Sequence, residues 1–149
     1  MTIEVPTASS QWRFPGRRLL AVRIALGAVI AIAVLWAFGS HGRHPGASRI
    51  PIVVALAILP ALMPLEEWVF RGIVLRRLTG KIGLIAALIV SAALFAAAHL
   101  SLSGLVWRFV AGLLLGGLYL WSQSLWPPIA AHFAFNVVLL LSAALASAR

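Results

Sequence analysis

The sequence predicts an all-α fold, a polytopic membrane helix bundle with about five transmembrane helices. Of its 149 residues, 62% are hydrophobic and only 10% are charged. Soluble domains average about 45–50% apolar and roughly 25% charged residues, so this composition indicates an integral membrane protein. The absence of cysteine excludes disulfides and thiolate metal sites.

Five mostly apolar runs support this fold class, because about 20 such residues cross the hydrocarbon core as a helix. The first run is longer than the 7–15 apolar residues of a signal peptide, so we interpret it as a retained helix. The second starts near Ile50 and continues through the two glutamates of "PLEEWVFRG". Pro60 and Pro64 predict a kink in it. The first run is the predicted span 19–39. The third, fourth and fifth are 82–102, 104–121 and 127–146.

The net charge of +9 comes from short basic clusters beside the apolar runs, a pattern typical of membrane-flanking charges and not of a nucleic-acid interface. With five spans, eight Lys and Arg residues fall on the side of the N-terminus and four on the other side. The positive-inside rule therefore predicts a cell-membrane protein with a cytoplasmic N-terminus. Residues 1–18 then form a tail, expected to be disordered over 1–11. Residues 19–149 form the membrane domain, with a catalytic core at about 50–146.

Glu66 and Glu67 are two of only three acidic residues in the chain. A charge near a helix centre costs about 2.5–3.5 kcal/mol on insertion scales. Glu67 and Arg71 are four residues apart and are predicted to pair on one helix face. Glu66 lies about 100° around the helix, without such a partner, and is therefore the carboxylate available for chemistry. A second interpretation places both glutamates in water at a helix end near residue 70.

Two further pairs of residues, each containing at least one polar side chain, lie within apolar helices. Phe95 and His99 are four residues apart on the third span, and His132 and Asn136 are four apart on the fifth. A lone intramembrane histidine more often hydrogen-bonds a neighbouring helix. A glutamate, two histidines and an asparagine on three apolar helices instead indicate a functional constellation. The histidines at 41 and 44 lie in a polar loop and are interpreted as solvated.

Three motifs resemble one protein family, over roughly residues 60–140. "EEWVFR", "FAAAH" and "HFAFN" occur in the order and spacing of the CAAX prenyl protease and bacteriocin-processing family, also called the CPBP or ABI family. Its members are glutamate-type intramembrane endopeptidases. The resemblance implies a substrate that is a membrane-anchored protein or a peptide. Five helices are fewer than in eukaryotic members that trim prenylated proteins, so sorting signals or bacteriocin-type peptides fit better.

The resemblance also implies roles for single residues. Glu66 would be the general base and would activate a water molecule together with His99. His132 and Asn136 would stabilise the oxyanion. The residues implied to give structural support are Glu67, Arg71 and Phe95.

The residues of other proteolytic chemistries are missing from the apolar helices: the chain has no aspartate and no His-Glu-x-x-His motif, and none of Ser91, Ser101 and Ser103 sits in a Gly-x-Ser motif. A metal-free mechanism is favoured, and a zinc site formed by Glu66, His99 and His132 is the alternative. The alternative function is a non-enzymatic membrane immunity or partner-binding protein on the same scaffold. A proton-coupled transporter is disfavoured because the sequence shows no internal repeat.

In the predicted hairpin of the second and third spans, Glu66 and His99 lie at different depths along the helices. If the chain turns near Gly80, Glu66 lies opposite residue 94. His99 is then five residues further along the helix, or about 7.5 Å. A direct contact between Glu66 and His99 is therefore not expected without a kink, a tilt or a bridging water.

Overall fold

Most of the described part of the chain is helical. The computed structural model describes residues 5–13, 16, 19, 23, 27, 52–102 and 104–147. Most of the first predicted span, 19–39, and the loop 40–48 lie outside these residues. The described residues contain no strand, which confirms the all-α class. After a 3₁₀ turn, Ser10–Trp12, the helices are α1 (Ile52–Glu67), a π-helical segment (Trp68–Leu75), α2 (Arg76–Ile82), α3 (Leu84–Ala98), α4 (Leu105–Ser122) and α5 (Trp126–Ser147).

One described helix, α4, is long and apolar enough to cross a membrane. Helix α3 and the stretch Trp126–Ser142 of α5 are apolar but shorter. The prediction of five transmembrane spans thus stays a prediction.

The chain from α1 to α2 is continuously helical and changes its hydrogen-bonding pattern directly after the two glutamates. Pro60 and Pro64 lie inside α1. The π-helical segment begins at Trp68, immediately after Glu67. π-helical turns are rare and occur frequently at functional sites. This segment carries Arg71, and it places the irregular part of the helix beside the candidate site.

The α2–α3 turn lies at Gly83, so the predicted turn near Gly80 is wrong. Gly83 has φ +81° and ψ 165°, a conformation that a Cβ disfavours. Arg71 and Phe95 are each twelve residues from this glycine along the chain. They face each other, with the guanidinium carbon of Arg71 4.6 Å from the centroid of the Phe95 ring.

Helices α3 and α4 approach each other closely at two glycines. A Cβ on Gly112 would lie 2.9 Å from the Cα of Ala92, and one on Gly116 would meet the side chain of Leu88. Small residues allow helix backbones to come this near. The approach brings the carbonyl of Gly112 within hydrogen-bonding distance of Arg71.

Part of the predicted disordered tail is ordered: among residues 5–11, Pro6 and Gln11 are buried, so the expectation of disorder is wrong for these two. The carbonyl of Gln11 accepts a hydrogen bond from the N–H of Leu125 at 2.8 Å, and the Gln11 side chain accepts one from the Tyr119 hydroxyl at 3.4 Å. The ring of Trp12 packs edge-on against Trp126. These contacts place Gln11 and Trp12 at the end of the bundle where α4 turns into α5.

Candidate active site

A buried ion pair forms the base of the site. Glu67 and Arg71 are 0% and 1% exposed, and Nη1 of Arg71 donates to Oε1 of Glu67 at 3.1 Å. Nη2 of Arg71 donates to the Gly112 carbonyl, also at 3.1 Å, while the guanidinium faces the Phe95 ring. The cation therefore has partners on three neighbouring elements. The predicted pairing of Glu67 with Arg71 is present in the structure.

His132 connects this ion pair to Glu66. Its Nδ1 lies 2.8 Å from Oε1 of Glu67, and its Nε2 lies 3.8 Å from Oε2 of Glu66. Because an ion-paired carboxylate only accepts hydrogen bonds, Nδ1 is the protonated nitrogen and donates a hydrogen bond to Glu67. This bond orients the ring so that Nε2 faces Glu66. The two adjacent glutamates thus contact opposite nitrogens of one imidazole.

Glu66 is the more accessible of the two carboxylates. Its side chain is 22% exposed, against 0% for Glu67. Its Oε2 is nevertheless enclosed and makes no hydrogen bond within the described part of the chain; the same is true of Oε2 of Glu67 and Nε of Arg71. An enclosed carboxylate oxygen is strongly stabilised by a hydrogen-bond donor. Glu66 can therefore hold a water molecule or a substrate N–H.

Asn136 lies one helical turn after His132 on α5. Its Nδ2 donates to the His132 carbonyl at 3.0 Å and lies 3.3 Å from the sulfur of Met63. A thioether is a weak acceptor. The amide hydrogen that points at Met63 is therefore available to a stronger acceptor, such as a developing oxyanion.

His99 stands apart from the two glutamates. It caps the C-terminal end of α3, its Nδ1 lies 2.9 Å from the Phe95 carbonyl, and it is exposed. The Phe95 ring packs edge-on against His99 at 5.0 Å and against His132 at 5.6 Å. Phe95 thus lies between the two histidines. No ion pair joins His99 to Glu66 among the residues that the structure describes.

The candidate zinc ligands are not gathered into one set. Across residues 52–102 and 104–147, no three His, Cys, Asp or Glu side chains are placed to hold a metal ion. Glu66 and His132 face each other, whereas the contacts of His99 within the described residues are with Phe95.

Sequence reasoning missed three contacts of this site. It did not predict that Glu67 bonds His132, that Gly112 accepts from Arg71, or that Met63 contacts Asn136. The spacing of Gly112 and Gly116, four apart on an apolar helix, is a signal for close helix packing that indicates the second contact. No local pattern indicates the other two.

A comparison with family models matches residues 46–138 to the type II CAAX prenyl endopeptidase Rce1-like family. The matched region contains all seven residues singled out from the sequence. The chain belongs to the Rce1-like family. Membership implies a CAAX protease-type function for this Rce1-like chain, with peptide or protein substrates, and does not favour the non-enzymatic alternative. No curated protein and no solved structure shows a significant match.

Proposed function

We propose that the chain is an intramembrane endopeptidase in which Glu66 activates a water molecule for attack on a peptide bond. The observation that carries this proposal is the arrangement of the two glutamates around His132. Glu67 is occupied by Arg71 and by Nδ1 of His132. Oε2 of Glu66 is enclosed, makes no hydrogen bond within the described part of the chain and lies 3.8 Å from Nε2 of the same ring. One carboxylate positions the imidazole, and the other is left for chemistry.

In this mechanism a water molecule is held beside Oε2 of Glu66. The carboxylate removes a proton from it as the oxygen attacks the peptide carbon, and Glu66 then delivers that proton to the leaving amine. The resulting oxyanion is stabilised by hydrogen-bond donors that are already in place. Nδ2 of Asn136 is one donor, and the His132 ring, which Glu67 holds in place, is the other.

His99 keeps a proposed role in holding the water or the substrate. Its Nδ1 faces the Phe95 carbonyl, which only accepts, so Nε2 is the nitrogen left for a ligand. In the structure His132 is the imidazole nearer to Glu66. We favour a mechanism without metal, because Glu66 and His132 face each other whereas His99 makes no ion pair with either glutamate within the described residues.

The proposal is tested with purified protein in lipid vesicles and a library of capped apolar peptides in water enriched in oxygen-18. We expect new C-termini that carry the heavy isotope, detected by mass spectrometry. Treatment with EDTA should leave the rate unchanged, with less than one metal ion per chain by elemental analysis. A protein containing Glu66→Gln, prepared identically, controls for contaminating proteases. Equal cleavage by that variant contradicts the role of Glu66, and activity lost to EDTA and restored by stoichiometric zinc contradicts the metal-free mechanism.

We also propose a multi-pass protein of the cell membrane with its N-terminus in the cytoplasm, acting on membrane-anchored proteins or on peptides. The excess of basic residues on the N-terminal side supports this topology. Reporter fusions at Ser10 and Arg77 should be active in the cytoplasm, and a fusion at residue 44 should be active outside. Finding the fusions at Arg77 and at residue 44 on one side would contradict the five-span arrangement.

A further inference from the structure

Two buried polar side chains contact the residues directly before and after Arg71. Oγ of Ser91, on α3, donates a hydrogen bond to the carbonyl of Phe70 at 2.8 Å. A Cβ at Gly72 would lie 2.9 Å from Oε1 of Gln11, so the Gln11 side chain occupies space that a larger residue at position 72 would fill. Both side chains are buried, with 3% of Ser91 and 2% of Gln11 exposed. Neither has a role in the proposed mechanism.

These two side chains reach the π-helical segment from different parts of the fold. Ser91 lies within α3. Gln11 lies in the N-terminal 3₁₀ turn, and its position is fixed by the end of the bundle where α4 turns into α5. Its carbonyl accepts from the N–H of Leu125 at 2.8 Å, and its side chain accepts from the Tyr119 hydroxyl at 3.4 Å. The π-helical segment is therefore tied both to α3 and to the N-terminal turn.

Contacts from outside the helix explain why the π-helical segment forms here. π-helical turns are rare and occur mostly as single turns within α-helices, whereas this segment has eight residues. The α-helical register is the usual alternative, and in an α-helix successive side chains point about 100° apart. A change of register between Trp68 and Leu75 would therefore change the direction of Arg71.

The direction of Arg71 matters because its ion pair also holds His132. Oε1 of Glu67 accepts from Nη1 of Arg71 at 3.1 Å and from Nδ1 of His132 at 2.8 Å. A displaced guanidinium therefore disturbs the carboxylate that orients the imidazole. The other nitrogen of that ring lies 3.8 Å from Oε2 of Glu66.

We propose that Ser91 and Gln11 are positioning residues of the candidate active site. They fix the register of the π-helical segment and thereby the direction of Arg71, without touching the substrate themselves. Their effect on catalysis rests on the proposed endopeptidase function, whereas their effect on the geometry of His132 does not.

The test removes one buried hydroxyl from each of two helices. Ser91→Ala deletes the donor to the Phe70 carbonyl. Ser122→Ala is the matched control, because Ser122 is 2% exposed and its Oγ donates to the carbonyl of Ser124 at 2.9 Å. Both variants lose a buried hydrogen bond to a carbonyl, so a general loss of stability affects them alike. Gln11→Ala removes the second contact and keeps the test available if Ser91→Ala does not fold.

The kinetic readout is the initial rate on one apolar peptide at several concentrations. A misplacement of about 1 Å in an active site costs up to about 10²-fold, so Ser91→Ala and Gln11→Ala should lower kcat by about tenfold to 10²-fold. KM should change little, because neither residue contacts the substrate, and Ser122→Ala should change neither constant. Ser91→Thr keeps the hydroxyl and should recover most of the lost kcat. Equal effects of Ser91→Ala and Ser122→Ala overturn the assignment, as does a folded Ser91→Thr that is no more active than Ser91→Ala.

A spectroscopic measurement separates failure of this assignment from failure of the proposed function. In protein labelled with nitrogen-15 in its histidine rings, NMR shows which ring nitrogens carry a proton, and the His132 signals are those missing from His132→Gln. We expect a protonated Nδ1 in the unmodified protein and in Ser122→Ala, and shifted or exchange-broadened His132 signals in Ser91→Ala and Gln11→Ala. Such shifts support the positioning role even if no peptide is cleaved. Unchanged His132 signals in both variants overturn the assignment and leave the proposed function standing.

Discussion

Replacing Glu66 with glutamine should reduce peptide cleavage by about 10²-fold or more while leaving the folded protein intact. Glutamine has the shape of glutamate but does not accept the proton of the attacking water. Stability should change little, because Glu66 is the more exposed carboxylate and its Oε2 makes no hydrogen bond within the described residues. The initial rate on a single apolar peptide, measured per folded molecule, checks this result. A variant that cleaves at the normal rate would remove Glu66 from the mechanism.

Replacing Arg71 with alanine should lower the free energy of unfolding by about 3–5 kcal/mol, the range for breaking a buried ion pair by removal of one partner. The change leaves the carboxylate of Glu67 buried without a counter-ion and the Gly112 carbonyl without its donor. It also removes the cation from the face of the Phe95 ring. Unfolding by denaturing detergent, followed by tryptophan fluorescence, measures the loss.

The matched control for this prediction is Arg77→Ala, since Arg77 lies in α2 and is exposed. Surface substitutions usually change stability by less than about 0.5 kcal/mol. Equal stability of the two variants would mean that the Glu67–Arg71 pair contributes little to the fold.

The late helices were predictable because each is a long apolar run with clear ends. The predicted span 104–121 corresponds to α4, and 127–146 corresponds to α5, each within one residue at both ends. The third span, 82–102, is longer than α3. Helix α3 ends at Ala98, where His99 caps it and Leu100 adopts a positive φ of 50°. Hydropathy does not predict the C-terminal end of α3, because Leu100 and Leu102 are as apolar as the residues of the helix.

Of the contacts among the predicted site residues, only the local one was predictable from the sequence. The spacing of Glu67 and Arg71 is local, and the structure contains that pair. The bond from His132 to Glu67 joins residues 65 positions apart, and its existence depends on which helices are neighbours. A single sequence contains no local signal for that arrangement. The relative depth of residues on the two sides of the α2–α3 turn was also not predictable. It depends on the turn at Gly83 and on the π-helical segment after Glu67, and the rise of an ideal α-helix accounts for neither.

The packed N-terminal residues escaped prediction for a similar reason. Residues 5–13 are mostly small or polar, which is typical of a solvated tail. In the structure their backbone contributes as much as their side chains: the Gln11 carbonyl bonds Leu125, and the Trp12 carbonyl bonds the indole of Trp126. Composition does not report on backbone contacts of this kind.

The central claim is that two adjacent glutamates perform different tasks, Glu66 in chemistry and Glu67 in holding Arg71 and His132. The most direct test measures cleavage rate and melting temperature on the same preparations of Glu66→Gln and Glu67→Gln. We predict that Glu66→Gln melts like the unmodified protein and is about 10²-fold or more slower. Glu67→Gln should melt at a clearly lower temperature, because the buried Arg71 loses its counter-ion. The account is contradicted if Glu66→Gln lowers the melting temperature as much as Glu67→Gln does, or if Glu67→Gln melts normally while Glu66→Gln still cleaves.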